Sequence, residues 1–99
     1  MNPSKTVRTK THVLTDLPNV GPSIANDLRI VGVETPQDLV GKNPLELYNQ
    51  LNTRTGTRHD PCILDVFMSV TDYMSGSEAR PWWAYTKKRK QLLLEENAT

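Results

Sequence analysis

Beyond Asn2-Pro3 near the start of the sequence, three prolines stand immediately after a residue able to cap a helix, at Thr35-Pro36, Asn43-Pro44 and Asp60-Pro61, and another follows glycine at Gly21-Pro22. Proline is tolerated in the first turn of a helix, where its missing N–H had no partner to lose, and it breaks a helix further in. Each pair is therefore a helix start, and each stops a preceding helix from running through it. The chain is limited to short helices. No alternating apolar and polar run competes with this pattern, so the expected fold class is all-α, a compact bundle of about five or six short helices.

The apolar residues fall in with these starts. A first helix is expected over about 12–17, with Val13, Leu14 and Leu17 inward, and a second from Pro22 to about Val31, burying Ile24, Ala25, Leu28 and Val31. Gly32 then ends the second helix in a left-handed conformation. Thr35, Pro36 and Asp38 start a third, and Asn43, Pro44 and Glu46 start a fourth that buries Leu45, Leu47 or Tyr48, and Leu51. At the fifth start Asp60 caps and Pro61 takes the first turn, and Ile63, Val66, Phe67, Val70 and Met74 recur at helical spacing, which predicts the central helix. "SGSEARP" breaks it, and "WWAYTKKRKQLLLEEN" carries a last short helix capped by Thr86. Helices this short are marginal alone, so tertiary packing must hold them.

At 99 residues the chain accommodates one modest core. The expected organisation is a flexible basic segment over 1–11, a single domain over 12–95 and a loose end over 96–99. No run of about 18 apolar residues suggests a membrane span, and "MNPSKTVRTKTH" lacks a signal peptide's apolar stretch, so no membrane association and a cytoplasmic location are expected. The lone Cys62 agrees with a reducing compartment. The net charge of +1 is unevenly spread. Residues 1–15 hold three basic and no acidic residues, 16–78 hold four basic against nine acidic, and 79–99 hold five basic against two acidic. An acidic body with basic ends suits a polyanion only where the ends share a face.

The stretch Leu14-x-x-Leu17-Pro18-Asn19-Val20-Gly21-Pro22-Ser23-x-Ala25-x-x-Leu28 resembles the helix-hairpin-helix motif, and with "VGVETPQDLV" it resembles the C-terminal domain of the competence regulator TfoX. "RTGTRHDPCILDVF" and "PWWAYTKKRK" are similar to the small bacterial pathogenicity-locus proteins, some of them called mitomycin resistance proteins, so that the resemblance spans about 12–90. It implies an all-helical fold containing a helix-hairpin-helix and a DNA-linked role. In such motifs hairpin N–H groups contact phosphates without reading bases, and binding is salt-sensitive and sequence-independent. Carried onto this chain, the donors are Val20, Gly21, Ser23 and Ile24, while Pro22 has none to give. Asn19 stands where the motif's first glycine is usual, and Ser23 where a lysine often assists. Asparagine tolerates a left-handed backbone, so the turn is expected to survive. The same turn could instead serve only to pack two helices together.

Further candidates have competing structural explanations. Arg54, Arg58 and His59 around Gly56 form a basic cluster suited to an anion, unless the arginines pair with carboxylates and Asp60 fills the cap itself. Trp82 and Trp83 beside Arg80, with Lys87, Lys88, Arg89 and Lys90, combine stacking surfaces with cations, although a small core also needs large residues and a basic run is commonly a solvated face. Cys62 is expected to be a small buried residue, and of the metal candidates His59, Cys62, His12 and Asp65 only His59 with Cys62 makes a weak pair and no second pair has ligand spacing, so no metal site is expected. No nucleophile with an adjacent base, phosphate loop or carboxylate pair stands out, so neither catalysis nor a cofactor is expected. The leading expectation is a noncatalytic module binding nucleic acid, DNA above all, without sequence preference. The alternative is an adaptor presenting an acidic helical surface to a protein partner.

Overall fold

The prolines do start helices. A computed structural model describes residues 11–98, so the expected basic segment lies almost wholly outside the described residues. Four α-helices follow in order, α1 over Pro22–Ile30, α2 over Pro44–Thr55, α3 over Cys62–Met74 and α4 over Thr86–Ala98. Three 3₁₀ turns, Leu14–Asp16, Pro36–Leu39 and Trp82–Tyr85, lie between and before them, and no strand occurs among the described residues. The chain is all-α, with two of the expected helices reduced to single 3₁₀ turns.

That reduction has a local cause. Leu17, held before Pro18, is extended at φ −70° and ψ 149°, which cuts the helix expected over 12–17 back to Leu14–Asp16. The turn over Pro36–Leu39 stops at an extended Val40, and Gly41 follows at φ 77°. Carboxylates secure both turns: Asp16 Oδ2 accepts from the N–H groups of His12 and Val13 at 2.9 and 3.0 Å, and Asp38 Oδ2 accepts from Glu34 and Thr35 at 3.0 and 3.1 Å. These hydrogen bonds hold both carboxyls below the usual range.

The longer helices keep their expected ends. Asn43 Oδ1 accepts from Leu45 N–H at 2.9 Å to cap α2, and left-handed Gly56 at φ 66° closes it. After α1, Gly32 N–H reaches Arg29 O and Val33 N–H reaches Leu28 O, both at 3.0 Å, with Gly32 at φ 88°. This pair of bonds is the Schellman ending that only a left-handed residue allows. Thr86 departs from expectation, because it is already helical and its hydroxyl donates to Asp65 Oδ2 at 2.7 Å instead of capping α4.

α3 is the axis of the bundle, buried from Leu64 through Thr71 on all sides, with α2 and the Trp82–Tyr85 turn packed most extensively against it. A helix covered all round must satisfy its polar residues internally. Ser69 Oγ donates to Val66 O at 2.6 Å, Thr71 Oγ1 to Phe67 O at 3.0 Å, and Asp65 is fully enclosed by partners from α4. Leu14, Leu17, Val20, Leu28, Leu39 and Leu51 close around it.

Candidate functional site

The turn between Leu17 and α1 is built by one residue in a conformation few side chains accept. Asn19 is left-handed at φ 68°, and it is the sole non-glycine residue at positive φ among the described residues. Gly21, by contrast, is extended at φ −95° and ψ −175°, and a Cβ there meets nothing within 4 Å. The asparagine, not that glycine, makes the turn.

Asn19 also ties the turn to the rest of the molecule. Its Nδ2 donates to Ser69 Oγ on α3 at 3.1 Å and to the Arg80 carbonyl at 2.7 Å. The start of α1 is thereby fastened beside the segment that leads into α4. Val20 fills the core, and its N–H turns inward to Leu17 O at 3.4 Å, which removes it from the set of outward donors. Gly21 caps α1 without a side chain, so the N–H groups of Ser23 and Ile24 have no capping acceptor.

Arg80 is exposed at this edge. Beyond Pro81 the 3₁₀ turn carries Trp82 and Tyr85 toward the core, while Trp83 stays 63% exposed. The two indoles meet edge to face, centroids 5.7 Å apart at 84°. Burial first, then the nearby Asp72 carboxylate, pushes the Tyr85 hydroxyl up to about 12.

The basic run divides. Arg89 Nε donates to Asp65 Oδ1 at 2.8 Å, and its side chain is only 11% exposed beside a fully buried carboxylate. That bond raises the guanidinium's already high pKa, and the charge is spent inside the fold. Lys87, Lys88 and Lys90 are exposed and form no ion pair with a described residue. They follow the Trp82–Tyr85 turn, which runs into α4 without a break through helical Thr86, so they lie beyond the first turn of the continuous helical stretch, where the helix dipole acts weakly.

Arg54 and Arg58 do not join this edge. Arg54 Nη1 donates to Ile30 O at 2.7 Å, capping the far end of α1, about 12 Å along the axis from the turn. Arg58 borders an open groove of about 440 Å³ beside Gly56, Leu93 and the Asn49–Glu96 hydrogen bond of 2.8 Å. His59 is held in place by Asn52 Oδ1 at 2.8 Å, Thr55 Oγ1 at 2.9 Å and Tyr48 Oη at 2.6 Å. Asp60 Oδ1 takes the Cys62 N–H at 2.9 Å, so the start of α3 is already capped. Burial, followed by Asp60, pushes the Cys62 thiol up, away from reactivity. Among the described residues no group of three or more His, Cys, Asp or Glu could hold a metal.

Sequence reasoning missed Asn19 as the clamp, and the available signal was an amide residue at a position where such turns use glycine. It also missed Asp65, an acid inside the apolar run "CILDVFMSV".

The chain matches the family described as a pathogenicity locus, Cdd1, over residues 7–91. It belongs to that family. Among relatives, this Cdd1 family member is 45% identical over 83 residues to a mitomycin resistance protein, McrB, of Streptomyces lavendulae, an overlap covering 84% of this chain and 79% of the relative. No solved structure matches it. Among the described residues no helix is long and apolar enough to cross a membrane.

Proposed function

We propose that this chain is a noncatalytic cytoplasmic module that binds nucleic acid, DNA above all, without sequence preference. In this reading the turn and α1 act as a helix-hairpin-helix in which the N–H groups of Gly21, Ser23 and Ile24 receive a phosphate. Arg80 supplies the nearest cation, and Lys87, Lys88 and Lys90 supply longer-range attraction. Arg89, Arg54 and Val20 serve the fold.

The observation that carries the reading is the 2.7 Å bond from Asn19 to the Arg80 carbonyl, which fastens the backbone of an exposed arginine beside a helix start lacking a capping side chain. Phosphate recognition needs both, outward backbone donors and a neighbouring positive charge. The α4 lysines support it differently. They are exposed and form no ion pair with a described residue, so their charge is available to a polyanion.

Fluorescence anisotropy with short single-stranded and duplex DNA at two salt concentrations tests this. The expected dissociation constants are roughly 1 to 100 μM near physiological salt, similar across sequences, and weakening steeply as salt rises. No binding at low salt would overturn the proposal in favour of a protein adaptor.

A further inference from the structure

The proposed phosphate contact leaves Trp83 unused. In a 3₁₀ helix residues three apart lie on the same side, which accounts for Trp82 and Tyr85 both turning to the core. Trp83, between them, points the other way and stays 63% exposed. It is nevertheless braced. Pro81 at φ −65° fixes the entry to the turn, Ala84 N–H closes it onto Pro81 O at 3.0 Å, and the Trp82 ring meets the Trp83 ring edge to face. A large flat ring is thus presented to solvent in a set orientation.

Its neighbours decide what suits it. Arg80 lies three residues earlier in the chain, no more than about 11 Å away even if extended, and Asn19 binds the Arg80 carbonyl. The segment beside the uncapped start of α1 therefore carries an exposed arginine and, three residues on, an exposed indole. Aromatic stacking combined with backbone-tracking cations suits unpaired nucleotides, because every base offers a π-face once it is out of a duplex. Within a duplex those faces are covered by neighbouring bases.

We propose that Trp83 is a stacking platform for an unpaired base, so that this edge prefers single-stranded over duplex DNA. The inference rests on the nucleic-acid reading above and specifies its substrate class.

The test measures anisotropy of labelled oligo(dT) and of a blunt duplex against the full chain and its Trp83→Ala and Trp83→Phe variants, with circular dichroism confirming that each variant is folded. The unaltered chain should bind oligo(dT) about tenfold more tightly than duplex. Trp83→Ala should lose about that factor for oligo(dT) and nothing for duplex, and Trp83→Phe should keep most of it. Unchanged oligo(dT) affinity in Trp83→Ala would overturn the platform while leaving the phosphate contact standing. Equal losses for both DNAs would also overturn it, making Trp83 a general contact. If neither DNA binds at low salt, both readings fall, and Trp83 belongs to a protein-docking surface.

Discussion

Asn19 holds its turn by backbone and side chain together, and the two contributions are separable. Glycine tolerates the left-handed conformation but cannot donate to Ser69 and Arg80, whereas alanine fails on both counts. Asn19→Gly should cost about 1 kcal/mol and Asn19→Ala about 2 to 3 kcal/mol in urea denaturation. Gly21→Val, at an extended position with open space around its Cβ, should cost less than either. Asp65 calls for a different test. Arg89→Met leaves its buried carboxylate with the Thr86 hydroxyl alone, and should cost about 3 kcal/mol or more. The double variant Asp65→Leu with Arg89→Met should recover most of that loss, and additive losses would disprove the pairing argument. The left-handed turn at Asn19 was legible in the sequence, whereas its clamp on Ser69 and Arg80 and the pairing of Asp65 were not. Asp65 finds its partners 21 and 24 residues away on α4, a separation that periodicity does not read.

Helix starts were legible because their causes are local. A cap, a proline and an acid within four residues determine where Asn43-Pro44 and Thr35-Pro36 begin, with no help from the rest of the chain. Lengths were less legible, since a 3₁₀ turn and a short α-helix share the same starting residues and differ in how far the following proline or glycine lets them run. The caps make these elements pH-sensitive in a defined direction. Asp16, Asp38 and Asp60 have carboxyls lowered first by backbone N–H bonds, so the unfolded chain takes up protons at higher pH than the folded one. Stability should hold above about pH 4 and fall as pH drops through the lowered values, and Asp38→Asn should flatten that loss in acid titrations followed by circular dichroism. Tyr85 sets the alkaline limit. Its hydroxyl, raised to about 12, keeps its proton in the fold while an unfolded tyrosine loses it near 10, so stability should decline between those values. The hydroxyl is buried, and its hydrogen-bonding interaction with the neighbouring Asp72 carboxylate adds to the rise. Tyr85→Phe should shrink the alkaline decline between those values, and the part that remains belongs to the Cys62 thiol, which burial also raises.

For the molecule as a whole, the sequence raised the question of whether its basic ends share a face with the turn, and tertiary contacts were needed to address it. The Asn19 clamp brings Arg80 to the turn, while Asp65, one helical turn before Ser69 on α3, anchors the beginning of α4 through Thr86 and Arg89. Composition showed a basic run but could not show that Arg89 is neutralised within the fold while Lys87, Lys88 and Lys90 remain exposed. This division makes a combined Lys87→Gln, Lys88→Gln, Lys90→Gln variant informative, because binding should change while stability should not. Glutamine is a fair helix former, and the three lysines lie beyond the first turn of the continuous helical stretch, so the melting temperature should stay within the equivalent of about 0.5 kcal/mol. DNA affinity should fall for every sequence, and the slope of log affinity against log salt should shrink by up to about 3 if all three lysines contact phosphates. Changing Arg89 as well would break the buried pair and confound the measurement with unfolding. An equally stable variant with weaker, flatter DNA binding identifies the lysines as serving binding. A less stable variant with undiminished binding would assign them to the fold and leave Arg80 as the cation to test.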